Sequence, residues 1–330
     1  YANVLELDRG RVSRVLQGMA ATFKACGKPE HAQGVGKGAA LCGLAGPSWV
    51  NGLLQEYANE ENWDAAVEVL FNVAAINPLA IANAQSARLT VKAFKKKDQT
   101  KNASIILREA MSVEKTQNMP FKSLAILKEI ERSLQANNDE NMDVSRQYYD
   151  DVYEISMKYN SHGSESVYLP VWKELVEQIK SGGYHQVLDL GCGPGQFAEY
   201  LLEQIPHLKY TGMDFSAVAI AAAQKRCPQA QFIQADVFAE NIFDDFDQDI
   251  VLLLEVLEHL HQDIELLKKF PHGSRIIATV PNFDSFGHVR YFISSTDVAQ
   301  RYEKVMKIDL LKPVTIGEKS NIFIIYGVVK

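Results

Sequence analysis

The stretch Asp189-Leu190-Gly191-Cys192-Gly193-Pro194-Gly195 decides the fold. It follows a short buried-strand pattern over 186–190 and precedes an amphipathic helix pattern over 197–204. Glycines at such a strand-to-helix turn let the backbone bend sharply and come close to a ligand. Working outward, strand patterns recur at 210–213, 231–234, 249–254 and 275–280. Helix patterns at 217–225 and 264–269 alternate with them. This alternation predicts an α/β fold with a parallel, doubly wound sheet. The 249–254 run is nearly all aliphatic, as expected for a strand covered on both faces. Ligands in such sheets sit at the carboxyl ends of the strands.

Acidic residues gather at that edge. Asp214 ends the second strand, Asp236-Val237 follows the third, and Glu255-Val256-Leu257-Glu258-His259 follows the fourth. A dinucleotide loop of the GxGxxG type would need glycine where Gln196 stands. The glycine spacing and the ordered acids instead resemble the class I S-adenosylmethionine-dependent methyltransferases, over roughly residues 185–281. That resemblance implies a Rossmann-like seven-stranded sheet, closed by a hairpin whose last strand is antiparallel. Segments 307–314 and 321–329 supply the hairpin, and Pro313 confines its strand to an edge. The resemblance also implies the cofactor S-adenosylmethionine and its site. Gly191, Cys192, Gly193 and Gly195 would form the loop against the methionine part, with Asp189 orienting its amino group. Asp214 would hold the ribose and Phe215 flank the adenine. Asp236 and the Val237 backbone would meet the adenine amino group, and Glu255 the sulfonium end.

Methyl transfer to a hydroxyl needs a proton acceptor. His259 and His288 are the candidates, and Gly287 with Arg290 suggests that His288 sits on an exposed substrate loop. The Glu255-to-His259 run resembles that of metal-using small-RNA 2′-O-methyltransferases, where a later histidine completes the site. Only His272 or His288 could serve, and the histidine-rich segment of those enzymes is missing. A similar run in ubiquinone-biosynthesis-type O-methyltransferases does not by itself imply a metal. No metal is therefore expected, and a metal-dependent nucleic-acid enzyme is the alternative. Tyr148, Tyr149, Tyr153, Tyr159, Tyr168 and Trp172 precede the sheet. Such a lead-in resembles methyltransferases of polysaccharide pathways. Tyr149, Tyr153 and Tyr159 are read as a substrate lid, and a small-molecule or glycan hydroxyl as the acceptor.

Residues 1–135 read as an all-helical domain and 136–330 as the methyltransferase domain, with a polar linker at 135–141. Val50, Leu53, Tyr57, Ala66, Leu70 and Pro78 sit at the offsets of a tetratricopeptide repeat. Phe23 and Ala32 precede Tyr57 and Ala66 by 34 residues; Phe94, Ala103 and Leu107 follow Tyr57, Ala66 and Leu70 by 37. The first half thus resembles three degenerate hairpins of that family. Such a domain could bind a protein partner, self-associate or present the acceptor. Gly34-Val35-Gly36-Lys37-Gly38 lacks the spacing of a phosphate loop and reads as a turn between helices. A second reading of the whole chain is a non-catalytic adaptor.

The net charge of -7 disfavours a nucleic-acid partner. The one basic run, Lys95-Lys96-Lys97, reads as a solvated helix end. The four cysteines have no CxxC spacing, so free thiols in a reducing cytoplasm are expected. No apolar run reaches the ~18 residues of a membrane span. Tyr1-Ala2-Asn3-Val4 carries no signal pattern and no initiating Met, as in a piece of a longer chain.

Overall fold

A computed structural model describes residues 9–112, 120–135, 144–155, 159, 161–239, 243 and 247–330. The chain divides into two compact units, Tyr1–Tyr148 and Tyr149–Lys330. Of the polar linker read at 135–141, only Gln135 lies within the described residues.

The first unit is built from helices α1 (Arg9–Ala25), α2 (Pro29–Leu41), α3 (Pro47–Asn59), α4 (Trp63–Ile76), α5 (Ala84–Lys96), α6 (Thr100–Ala110) and α7 (Phe121–Gln135). They pair as hairpins α1–α2, α3–α4 and α5–α6. Ala32, Ala66 and Ala103 are buried, with Tyr57, Leu70, Phe94 and Leu107 beside them. Three-residue loops join each pair, and each has a left-handed middle residue. Gly27, Glu61 and Asp98 take positive φ of 68°, 53° and 53°. The amides of Lys28, Asn62 and Gln99 then donate to Phe23 O, Tyr57 O and Phe94 O at 2.9, 2.8 and 2.9 Å. These residues lie 34 and 37 apart, the spacing read from the sequence. The longer spacer falls at a 3-10 turn, Pro78–Ala80.

Left-handed backbone suits glycine and penalises Glu61 and Asp98. Glu61→Gly and Asp98→Gly should each raise stability by about 0.5–1 kcal/mol, read as a later midpoint in urea. A fall in either midpoint would show that the loop geometry is wrong.

Gly34-Val35-Gly36-Lys37-Gly38 is not a turn. It lies inside α2. A Cβ on Gly36 would come 3.3 Å from Trp49 Nε1 and 3.6 Å from Leu53 Cδ1. Close packing against α3 therefore outweighs the poor helix propensity of glycine. The basic run behaves as read: Lys95 and Lys96 form the last turn of α5, where cations face the negative helix end.

The second unit holds α8 (Arg146–Ile155, from Tyr149 on), α9 (Leu169–Gly182), β1 (Gln186–Leu190), α10 (Gln196–Gln204), β2 (Lys209–Asp214), α11 (Ala217–Arg226) and β3 (Gln231–Gln234). It continues with β4 (Ile250–Leu254), α12 (Asp263–Lys268), β5 (Arg275–Pro281), α13 (Ser295–Tyr302), β6 (Met306–Gly317) and β7 (Ser320–Val329). The seven strands form one sheet in the order β3-β2-β1-β4-β5-β7-β6. The first five pair in parallel, and β7 runs antiparallel to β5 and β6. Pro313 lies in β6, the edge strand, as its missing N–H requires.

Alternate residues of each strand face opposite sides. Val187, Ile250, Leu252 and Ile277 join one apolar core with Leu175, Ile179, Phe197 and Leu201. Leu188, Leu190, Val251, Leu253 and Ile276 join the other with Leu266, Val298 and Tyr302. Helices thus cover both faces, and only the strand ends can admit a ligand.

The four cysteines form no disulfide. No described helix is long and apolar enough to cross a membrane.

Candidate active site

The loop after β1 is fixed by backbone alone. Gly191 N and Cys192 N both donate to Met213 O, at 2.7 and 3.0 Å, tying the turn to β2. Gly191 and Gly193 hold positive φ of 76° and 54°. A Cβ on Gly191 would stand 2.5 Å from Val256 Cγ2. Gly195 caps α10, where a Cβ would crowd Ala223 of α11 at 3.1 Å. The Cys192 thiol is buried close to Gly212, so Cys192 offers the crevice its backbone only.

Asp189 is 1% exposed. Tyr210 donates to its Oδ2, while Oδ1 has no hydrogen-bond partner among the described residues. Burial pushes its carboxyl up to about 7, with the Tyr210 bond opposing and Asp214 assisting. Asp214 at the tip of β2 accepts from Gly193 N at 3.0 Å and Ser216 N at 2.9 Å. A carboxylate has about four lone-pair sites, so it can accept further donors. Phe215 is half-buried and meets Tyr149 edge-on at 5.4 Å. Asp236 is exposed, and its Oδ1 accepts from Phe238 N at 2.9 Å; Val237 is half-buried beside it.

At the tip of β4, Glu255 has φ 56°, an uncommon conformation for a residue with a side chain. Thr279 of β5 enforces it: Glu255 N donates to Thr279 Oγ1 at 2.8 Å, and that hydroxyl donates to Glu255 Oε1 at 2.9 Å. Strained backbone of this kind clusters at functional sites.

His259 and His288 meet at this tip, ring centroids 4.7 Å apart. Val289, Tyr291 and Ile293 on the loop carrying His288 are exposed, as expected, but His288 itself is not. His288 is 8% exposed. Arg290 on this loop is engaged within the fold. Its guanidinium donates to Leu257 O and Leu260 O and pairs with Asp263 at 3.2 Å. Val289 N donates to Glu258 O at 2.8 Å. Arginine thereby staples the β5 loop to the β4 loop. Gly287, φ 92°, passes so close that a Cβ would meet Tyr149 Oη at 3.0 Å and His259 Nδ1 at 3.3 Å. His272 is exposed and precedes β5, at the opposite edge of the sheet.

The lid tyrosines divide as follows. Tyr149 Oη lies 3.0 Å from His259 Nδ1. Tyr153 lies beside the loop, its hydroxyl 3.6 Å from where a Gly193 Cβ would stand. Tyr159 stacks edge-on against Tyr153 at 5.1 Å. Burial first, and Asp214 second, hold the Tyr153 hydroxyl well above its usual range. Burial and then Glu255 raise Tyr159. Both therefore stay protonated hydrogen-bond donors. Arg226 fastens the segment, donating to Tyr159 O at 2.7 Å and Ser161 O at 3.0 Å. Trp172 stacks on Phe197 and Tyr200 in the core, and Tyr148 is buried.

Glu258 was not read as a site residue. It is 0% exposed, and neither carboxylate oxygen has a hydrogen-bond partner among the described residues. Burial, then Glu255, holds its carboxyl well above the usual range. Tyr210 and Thr279 were also missed. Both are ordinary strand residues in sequence, and only pairing across the sheet gives them partners.

Residues 188–272 match a family model described as a methyltransferase domain. The second unit is a class I S-adenosylmethionine-dependent methyltransferase domain. Its cofactor is S-adenosylmethionine. The match covers the glycine loop and the acids of β1 to β4 that the geometry brings to one edge. Among similar proteins, a trans-aconitate 2-methyltransferase of Paracidovorax citrulli (strain AAC00-1) is 41% identical over 66 residues, 20% of this chain and 25% of that protein. A trans-aconitate 2-methyltransferase of Afipia carboxidovorans is 32% identical over 129 residues, covering 35% and 46%. A malonyl-[acyl-carrier protein] O-methyltransferase of Paenibacillus sp. (strain JDR-2) is 34% identical over 120 residues, covering 32% and 44%. The chain thus spans less than half the length of each of these relatives.

The methyltransferase crevice fits the cofactor on two observations. Asp189 Oδ1 is a buried acceptor without a donor, and the backbone at Gly191 and Gly193 is bare. The unshielded carboxylate has a measurable consequence. A folded carboxyl at about 7, above its ordinary 3.8, is destabilising when ionised, so cofactor-free stability falls as pH rises from about 4 to 7. An ammonium group facing Asp189 reverses this by favouring the carboxylate. S-adenosylhomocysteine affinity should therefore weaken as pH falls through about 7, with proton release on binding. Asp189→Asn should flatten that profile. Calorimetry in buffers of different ionisation enthalpy reads both effects; a pH-independent wild type would remove Asp189 from the cofactor's amino group.

Proposed function

We propose that this protein O-methylates a small-molecule or sugar hydroxyl. The observation that supports this is the pair of imidazoles, His259 and His288, at the β4 tip beside the cofactor crevice. Gly287 O lies 2.9 Å from His259 Nδ1, and Phe283 O lies 3.2 Å from His288 Nδ1. A carbonyl can only accept, so each Nδ1 is assigned the proton and each Nε2 carries the lone pair. An imidazole so oriented is a proton acceptor at neutral pH.

When bound, S-adenosylmethionine supplies the activated methyl carbon, and its sulfur departs with the electron pair of the broken C–S bond. The chain's part is positioning and proton removal. The loop and Asp214 fix the nucleoside. The tyrosines crowd the crevice, excluding water and offering rings on which a sugar can stack. His288 or His259 takes the hydroxyl proton as the new C–O bond forms. The acceptor oxygen must lie within ~3–3.5 Å of the methyl carbon, in line with the leaving sulfur.

The helical unit is read as a tetratricopeptide-like surface for a protein partner or a second copy, supported by its repeated loops. The reading is tested by incubating the full chain with methyl-labelled S-adenosylmethionine and a panel of sugars and small hydroxy acids. Label should appear as a methyl ether, with S-adenosylhomocysteine in equal amount; a methyl ester would refute the hydroxyl assignment. Label on nitrogen or carbon would refute the oxygen assignment.

Asp214→Ala should weaken S-adenosylhomocysteine binding by about 1–3 kcal/mol, roughly five- to 150-fold, for the lost ribose hydrogen bonds. An unchanged dissociation constant would take the ribose away from Asp214.

A further inference from the structure

Asp263 opens α12 and is 0% exposed, a carboxylate taken wholly out of water. Such a charge is costly unless it is paired. Arg301 of α13 grips both oxygens, with Nε on Oδ2 and Nη2 on Oδ1, each at 2.7 Å. Tyr302 donates to Oδ2 at 3.0 Å. Those two residues suffice to fasten α13 to α12. Arg290 of the β5 loop nevertheless places Nη1 3.2 Å from the same Oδ2. One bidentate arginine already neutralises the carboxylate, so the second cation needs another explanation.

The other contacts of Arg290 supply it. A guanidinium presents its N–H donors in a rigid fork. Nη1 spends its two hydrogens on Leu257 O and Leu260 O, and Nη2 reaches His261 O at 3.3 Å. Asp263 therefore holds Arg290 by charge, offsetting the burial that works against the cation. The carbonyls lie in and just after the 3-10 turn Leu257–His259. Val289 N and Arg290 N also donate to Glu258 O, at 2.8 and 3.3 Å. His259 belongs to the clamped turn, and His288 stands two residues before the clamping arginine. Between them Gly287 O lies 2.9 Å from His259 Nδ1. The 4.7 Å between the imidazoles thus depends on the register of two loops, and the register on the clamp.

We propose that Asp263 is a positioning residue: through the Arg290 guanidinium it sets the His259–His288 pair. Its own hydrogen bonds and ion pairs among the described residues go to Arg290, Arg301 and Tyr302, and none to an imidazole. Without the carboxylate, a half-buried cation loses its counter-charge and is drawn towards water, and the fork leaves the carbonyls. The two loops then part, and His259 Nδ1 loses Gly287 O. A displacement of about 1 Å at reacting groups costs about a hundredfold in rate. The consequence for turnover rests on the histidine reading above; the hold on the imidazole pair does not.

The test uses the full chain with ¹⁵N-labelled histidine, whose nuclear magnetic resonance spectra report the imidazole tautomers and need no acceptor. Wild type should show His259 and His288 with the proton on Nδ1. Asp263→Asn should turn His259 into a tautomer mixture and lower turnover roughly 10–100-fold, with S-adenosylhomocysteine affinity kept within about twofold. Arg290→Lys keeps a cation for Asp263 but gives up the fork; it should move the His259 signal in the same way and is decisive should Asp263→Asn fold poorly. Arg301→Gln is the control. It loosens α13 while leaving Arg290 its carboxylate, and should keep the wild-type imidazole signals. Wild-type signals in Asp263→Asn and Arg290→Lys, or an equal change in Arg301→Gln, overturn the proposal. An imidazole response in a chain that methylates no hydroxyl, or whose turnover does not fall, upholds the clamp and defeats the histidine reading instead.

Discussion

His288→Ala should lower turnover by roughly 10²–10⁴-fold, the usual contribution of a proton-transfer group, and leave S-adenosylhomocysteine affinity within about twofold. The asymmetry follows from position. His288 sits at the tip of β4 by way of the β5 loop, against His259 and Glu258. The residues assigned to the nucleoside lie on the tips of β1, β2 and β3. Loss of the imidazole removes a group that acts on the acceptor's proton, so the effect falls on the chemical step. Single-turnover kinetics with a saturating cofactor separates chemistry from binding. A variant with wild-type turnover would clear His288 of any part in the reaction.

Gly191→Ala should reduce cofactor affinity at least a hundredfold and lower the melting temperature by several degrees. Two costs add. Left-handed backbone costs a residue with a Cβ about 1–2 kcal/mol. The new methyl would also lie 2.5 Å from Val256 Cγ2, which must move. Val256 stands between Glu255 and Leu257, so its displacement disturbs the β4 tip as well as the loop. Gly273→Ala is the control. Gly273 has φ 91° but nothing within 4 Å, and it lies at the opposite edge of the sheet, before β5. It should lose only the backbone part of that stability and keep its cofactor affinity. Equal affinity losses in the two variants would mean that global destabilisation, not the loop, is responsible.

Much of this architecture was readable from residue order. β1 and β3 fall at the residues where their patterns placed them, because short apolar runs bounded by turn residues have few alternatives. The antiparallel hairpin and the edge position of Pro313 also follow their sequence reading. Gly34 to Gly38 went the other way. Three glycines read as a turn, yet the need to fit Gly36 against Trp49 makes them helical, and that contact lies between elements.

The candidate site shows the same division. The glycine loop and Asp214 announce themselves locally. Glu258 does not, since its lack of partners depends on where His288 returns, 30 residues later. In sequence, Gly287 and Arg290 suggest an exposed substrate loop, but the Arg290 guanidinium bonds carbonyls of another loop. Loop-to-loop contacts of this kind have no period and leave no local pattern.

The central claim is that one nucleoside cofactor binds at the carboxyl tips of β1 to β4. Calorimetric titration of the full chain with S-adenosylhomocysteine tests it most directly. One molecule per chain should bind, with Asp214→Ala weakening it five- to 150-fold, as expected for about 1–3 kcal/mol of lost hydrogen bonding. Absence of any heat of binding from a folded wild-type chain would contradict the account.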